Sequence, residues 1–118
     1  MNDRELLKLS AKACNIELHD STDGTVKNRP ILIYSVSSRV GGLPYSDEWN
    51  PLRMDSQAFR LAIRLKMEVD FDDVRVAVRT RQGIKVLEDA GGDLYAATRR
   101  AIVRAAAEIG AAAKKGTP

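Results

Sequence analysis

The stretch WNPLRMDSQAFRLAIRL, residues 49–65, decides more of the fold than any other part of the chain. It begins with the only tryptophan, Trp49, and Pro51 ends any regular element before it because proline lacks a backbone N–H. Asp55 is a residue type that caps helices, and an amphipathic segment follows it. We therefore predict a helix over residues 55–66, with Trp49 packed in the core beside it.

The two faces of this predicted helix differ in polarity. Its apolar face carries Ala58, Leu61, Ala62 and Leu65, with Phe59 on the flank. Its opposite face carries Gln57, Arg60 and Arg64, which the helical spacing of three and four residues brings together. We expect this polar face to lie in water or against a partner.

Hydrophobic patterns on either side predict the remaining elements of one domain, residues 1–118. They indicate a helix over 3–14, a strand over 30–38, a loop over 39–54 and a hairpin made of 67–80 and 84–88. In the hairpin, Val74, Val76, Val78 and Thr80 alternate with the arginines at 75, 79 and 81. The fold class is therefore α+β, a small antiparallel sheet packed between helices as an α/β/α sandwich.

A long alanine-rich helix is predicted over residues 93–113, with Asp93 as its N-cap. Its alanines raise helix propensity and permit close packing, but they are small. The only large side chains expected to reach deep into the core from this helix are Tyr95, Ile102 and Ile109. The chain has 44% hydrophobic and 30% charged residues, which is typical of globular proteins. We predict three main helices, of which this one is the longest.

Cellular location is indicated by the single cysteine and by the absence of targeting signals. Cys14 has no partner for an internal disulfide, and we interpret it as a small buried hydrophobe. The charged first residues do not form a signal peptide, and no apolar run approaches the ~20 residues of a membrane span. The expected location is the cytoplasm, with no membrane association.

Motifs for catalysis, metals and cofactors are missing from the sequence. A catalytic thiolate at Cys14 would need His19, the only histidine, and the adjacent Gly41 and Gly42 lack the spacing of a phosphate loop. The acidic residues Glu68, Asp70, Asp72 and Asp73 do not have the spacing of a calcium-binding loop. We expect no catalytic residues, no metal and no cofactor, although a hydrolase that uses only these carboxylates is a remaining alternative.

Arginines are the remaining candidates for a binding surface. Residues 1–50 carry six Lys and Arg against seven Asp and Glu, whereas residues 51–118 carry thirteen against nine, and the whole chain has a net charge of +3. The candidate contacts for nucleic acid or a partner are Arg60, Arg64, Arg75, Arg79, Arg81, Arg99, Arg100 and Arg104. A row of arginines along a strand can follow phosphates. The same arginines are also explained as solvent-exposed residues that keep the protein soluble, and the pattern favours that interpretation.

Two segments resemble the phage ABA-sandwich domain family. They are the Trp-Asn-Pro segment with its helix, residues 49–63, and the arginine- and alanine-rich residues 95–106. The signature positions are Trp49, Asn50, Pro51 and Asp55, although Gln57 stands where an acidic residue is common in the family. The resemblance implies a sheet between helices and a small protein of a bacteriophage or prophage in a bacterial host cell.

The functional expectation is a small non-catalytic phage or prophage accessory protein that binds a host or phage protein. The protein partner is unknown, and a homodimer through the alanine-rich helix is a variant of this hypothesis. The alternative is a nucleic-acid-binding module that uses the arginine-rich faces of the hairpin and helices. A salt-sensitive affinity for nucleic acid would separate the two hypotheses.

Overall fold

The computed structural model describes residues 2–21, 31–37 and 44–115. Within them the chain forms three helices and six strands. In chain order these are α1 (Asp3–Ala13), β1 (His19–Ser21), β2 (Ile31–Ser37), β3 (Pro44–Glu48), α2 (Asp55–Arg64), β4 (Glu68–Phe71), β5 (Arg75–Arg79), β6 (Lys85–Asp89) and α3 (Leu94–Lys115). The predicted α+β class is confirmed, with three helices, small three-stranded antiparallel sheets and a long C-terminal helix.

The described strands form two antiparallel sheets, in the orders β1-β2-β3 and β4-β5-β6. In the second sheet, Val78 of β5 lies between Val69 and Val86 of its neighbours. The predicted alternation along β5 is confirmed, because Val76 and Val78 are fully buried while the arginines at its two ends are exposed. The buried side of this sheet packs on α3, and its outer side faces solvent.

Two predicted segments were wrong in detail. The predicted loop over residues 39–54 contains β3, which pairs with β2 and starts at Pro44; proline is compatible with the first residue of an edge strand. Residues 38–43 lie outside the described part. The predicted strand over 67–80 is divided by a turn, because the Asp72 Oδ1 accepts a hydrogen bond of 2.9 Å from the Val74 backbone N–H. Val74 is consequently exposed and does not share the buried face of β5.

Helix α3 forms the centre of the core. Ala101, Val103, Ala105 and Ala106 are fully buried, and α1 packs along α3 over much of its length. The two helices lie close together at Gly110, where a Cβ atom would lie 2.9 Å from the carbonyl carbon of Leu9 and closer still to its oxygen. The alanine-rich face therefore serves packing within the chain.

Side chains cap the starts of α1 and α3, and the predicted cap Asp93 is confirmed. Asn2 Oδ1 accepts a hydrogen bond of 2.8 Å from the Glu5 N–H, and Asp93 Oδ1 accepts one of 3.0 Å from the Ala96 N–H. The prediction that Asp55 caps α2 was wrong: the cap position is Met54, and Asp55 is the first helical residue. A carboxylate there interacts favourably with the helix dipole. None of the described helices has the length and apolar character needed to cross a membrane.

Candidate functional site

The Trp49 segment joins the first sheet to the helices. The indole is buried, and its Nε1–H donates a hydrogen bond of 3.0 Å to the backbone oxygen of Leu7 in α1. Its ring forms a T-shaped contact with Tyr34 in β2, with centroids 5.4 Å apart and an angle of 83° between the planes. Pro51 is fully buried. The prediction of Trp49 as a core residue is confirmed, and the main role of this signature is structural.

Gln57 fixes the same segment to α2. Its side chain is only 3% exposed; the Oε1 atom accepts a hydrogen bond of 2.6 Å from the Asn50 N–H, and the Nε2 group donates one of 2.6 Å to the Glu48 oxygen. The prediction that Gln57 shares the exposed polar face was wrong. An amide both donates and accepts, so one side chain satisfies a backbone N–H and a backbone carbonyl.

Five of the eight candidate arginines form ion pairs with carboxylates. The nitrogen–oxygen distances are 3.9 Å for Arg75 and Asp89, 2.7 Å for Arg79 and Asp70, 2.7 Å for Arg99 and Asp55, and 3.2 Å for Arg100 and Asp3, and Arg104 pairs with Glu88. Arg99 also donates a hydrogen bond of 2.9 Å to the Leu52 oxygen. These pairs tie α3 to α1, α2 and β6 and offset the positive charge at five positions.

The outer face of the second sheet has mixed charge. Glu68 lies opposite Arg79, and Asp70 on the same face is its ion-pair partner. Such an arrangement is typical of a solvated face, because phosphate tracking needs an uncompensated positive row. The acidic residues at 68, 70, 72 and 73 are exposed. Among residues 2–21, 31–37 and 44–115, no group of three or more His, Cys, Asp or Glu side chains is placed to hold a metal ion.

Two of the remaining candidates, Arg60 and Arg64, line a cavity of about 460 Å³ between α2, the end of α1 and the first sheet. Cys14, His19 and Trp49 contribute to its wall. Burial raises the pKa of the Cys14 thiol, and the nearby charge of Arg64 opposes this effect in part. The histidine that a thiolate would need does reach the same cavity, but the raised pKa keeps the thiol protonated near neutral pH.

A second opening, a groove of about 640 Å³, lies between α2, β4 and the start of α3. Four exposed apolar side chains line it: Phe59 is 65% exposed, Phe71 58%, Tyr95 75% and Leu94 37%. The prediction that Tyr95 is a deep anchor of α3 was therefore wrong. The sequence signal for this site was weak, since its residues come from three separate elements and only Phe59 stood apart from its helix's apolar face.

Comparisons with known proteins provide no match. No family model, curated protein or solved structure matches this chain.

Proposed function

We propose that the chain is a small non-catalytic phage or prophage accessory protein that binds a host or phage protein through the groove between α2, β4 and α3. The observation that carries this proposal is the set of aromatic side chains at 59, 71 and 95, which are more than half exposed along one groove. Exposed apolar patches of this kind commonly mark interaction sites. The bacteriophage origin and the host cytoplasm rest on the resemblance of residues 49–63 and 95–106.

The partner segment that fits best is an extended strand. β4 is an edge of its sheet and pairs only with β5 among the described strands, so its other side presents backbone N–H and carbonyl groups. Phe71 is opposite the buried Val76, which places it on the groove side of the sheet. A strand added to β4 would form backbone hydrogen bonds and direct every second side chain toward the groove.

Charge favours a partner other than a second copy. The outer side of β4 carries Glu68 and Asp70, while Val69 and Phe71 face the groove side. Opposite residues in antiparallel strands share a face, so any register that keeps apolar residues together would place an acid of one copy against an acid of the other. A partner strand that alternates apolar residues with lysine or arginine would place its apolar residues beside the groove side of β4 and its basic residues beside the acidic outer side.

The nucleic-acid alternative receives less support. Five of its eight arginines are paired with carboxylates. Fluorescence anisotropy of labelled single-stranded and duplex DNA tests it directly. If the sheet contacts phosphates, the double variant Arg75→Ala and Arg79→Ala lowers the affinity and reduces the salt slope by about one for each lost contact. We expect the double variant to behave as the wild type.

The test of the main proposal uses two labelled peptides of eight residues, one alternating valine with lysine and one alternating valine with glutamate. We expect the lysine peptide to bind more tightly, because it complements β4. This preference is opposite to the one that general attraction to a chain of net charge +3 would produce. Phe71→Ser and Tyr95→Ser should each raise its Kd about tenfold, as loss of an aromatic anchor does.

The matched control is Leu87→Ser, which removes an apolar side chain that is exposed on β6 and is not among the groove residues. Its Kd for the lysine peptide should equal that of the wild type. Equal binding of both peptides, or equal losses in all three variants, would contradict the proposal. A homodimer that dissociates in Phe71→Ser, measured by sedimentation velocity, would instead identify the occupant as a second copy.

A further inference from the structure

We infer that the cavity between α2, the end of α1 and the first sheet binds a small organic oxyanion, a carboxylate or a phosphate ester. This site lies on a different side of α2 from the groove and does not depend on the protein-binding proposal. Its volume of about 460 Å³ is within the range of pockets that hold small molecules.

The positive charge of the cavity comes from two arginines on successive turns of α2. Arg60 and Arg64 are four residues apart, so their side chains leave the same face of the helix. Neither forms an ion pair or hydrogen bond within residues 2–21, 31–37 and 44–115, in contrast to the five candidate arginines that pair with carboxylates. Two guanidinium groups without an ion-pair partner, four residues apart at one cavity, can each donate paired N–H groups to a carboxylate or a phosphate.

The other walls favour an organic ligand over a bare inorganic ion. Trp49, Tyr34, Ile16 and Leu61 give the cavity an apolar side, and Asn15 and His19 add polar side chains at its edge. Glu17 also lines the cavity, which leaves the two arginines in excess by one charge. A ligand with an apolar body and an oxyanion head matches this division between apolar and cationic walls.

Several polar groups of the wall are already used by the fold. The Trp49 indole N–H bonds to Leu7, and both polar atoms of Gln57 bond to the backbone of residues 48 and 50. The positive charge that recognises the oxyanion therefore comes from the two guanidinium groups, and a neutral analogue of the same shape would lose that charge interaction. This makes the charge of the ligand the decisive variable in a test.

Trp49 provides the readout, because it is the only tryptophan and lines the cavity. Its emission is titrated with benzoate, phenyl phosphate, inorganic phosphate and the neutral analogue benzamide. We expect saturable changes with benzoate or phenyl phosphate, and at least tenfold weaker responses to benzamide and inorganic phosphate. The tighter of the two organic anions assigns the head group as carboxylate or phosphate.

Variants test the two arginines. Arg60→Gln and Arg64→Gln should each raise the Kd of the preferred anion about tenfold, the usual effect of losing a charge-assisted hydrogen bond. Arg81→Gln is the control, since it removes the same charge from an exposed position that is not part of the cavity. All three positions are exposed, and unchanged thermal midpoints verify folding. A flat titration, equal binding of benzamide, or an equal loss in Arg81→Gln would overturn the inference.

Discussion

Replacing Gly110 with alanine should destabilise the protein, although alanine is the better helix former. Gly110 lies in α3 at a position where the backbone of α1 is close to it. The added methyl group would meet the backbone of Leu9, which cannot move aside as the end of a flexible side chain can. The substitution therefore combines a favourable effect on helix propensity with an unfavourable effect on packing, and the structure indicates which is larger.

The local effect favours alanine by about 1 kcal/mol, the usual difference between alanine and glycine inside a helix. The packing effect opposes it. The new Cβ would lie 2.9 Å from the Leu9 carbonyl carbon, whereas favourable contacts between carbon atoms begin at about 3.5 Å. The helices must separate by on the order of 1 Å, and such overpacking costs about 1–3 kcal/mol, occasionally more. With a backbone obstacle the upper end applies, and the expected net loss is about 2 kcal/mol.

Thermal unfolding followed by circular dichroism measures this loss. At about 4 °C for each kcal/mol in a chain of this size, the midpoint should fall by about 8 °C. Trp49 emission should shift to longer wavelength, since its indole bonds to α1. Ala112→Gly, at an exposed position of the same helix, isolates the propensity effect and should cost about 1 kcal/mol. A midpoint that rises in Gly110→Ala would refute the close approach of α1 and α3.

Two further predictions concern buried polar groups. Gln57→Glu removes the donor to the Glu48 oxygen and should lower the free energy of unfolding by about 1–3 kcal/mol at pH 7. Because burial favours the protonated carboxyl, which can donate again, urea unfolding should show a smaller loss of stability at pH 5 than at pH 7. An equal loss at both pH values would contradict the role of Gln57 as a buried donor. Burial also raises the pKa of the Cys14 thiol, so alkylation by iodoacetamide at pH 8 should be at least about tenfold slower in the folded protein than in urea, and similar rates would contradict it.

The helices could be predicted well because their signals are local. The start of α1 at Asp3 and of α3 at Leu94 follow from a capping side chain one residue earlier and an apolar stripe after it. The strand β3 could not be predicted in this way. Its sequence PYSDE is mostly polar, and it becomes a strand only because β2 supplies its hydrogen-bond partners. Asp55 has the right residue type for a cap, but its carboxylate forms an ion pair with Arg99 of α3, which is far away in the sequence.

The binding surfaces were harder to predict than the fold. Helical spacing correctly placed Arg60 and Arg64 together, but it also placed Gln57 with them, because periodicity cannot show that an irregular segment needs a buried amide. The groove combines aromatic residues from α2, β4 and α3, and each is unremarkable within its own element. Exposure of an apolar residue depends on which neighbour is missing, and this is a property of the tertiary structure.

Helix α2 borders both proposed sites, and its attachment determines whether they act independently. Phe59 and Arg60 are successive residues, so their side chains leave the helix about 100° apart and reach the groove and the cavity respectively. The helix is held at its first turn by the Gln57 hydrogen bonds and by the Asp55–Arg99 pair. Binding at one site can affect the other only if α2 shifts, and these contacts oppose a shift. In the wild type, the affinity for the peptide should therefore be unaffected by the preferred anion. Coupling between peptide binding and anion binding should arise first in Gln57→Glu, where the attachment of the helix is weakened.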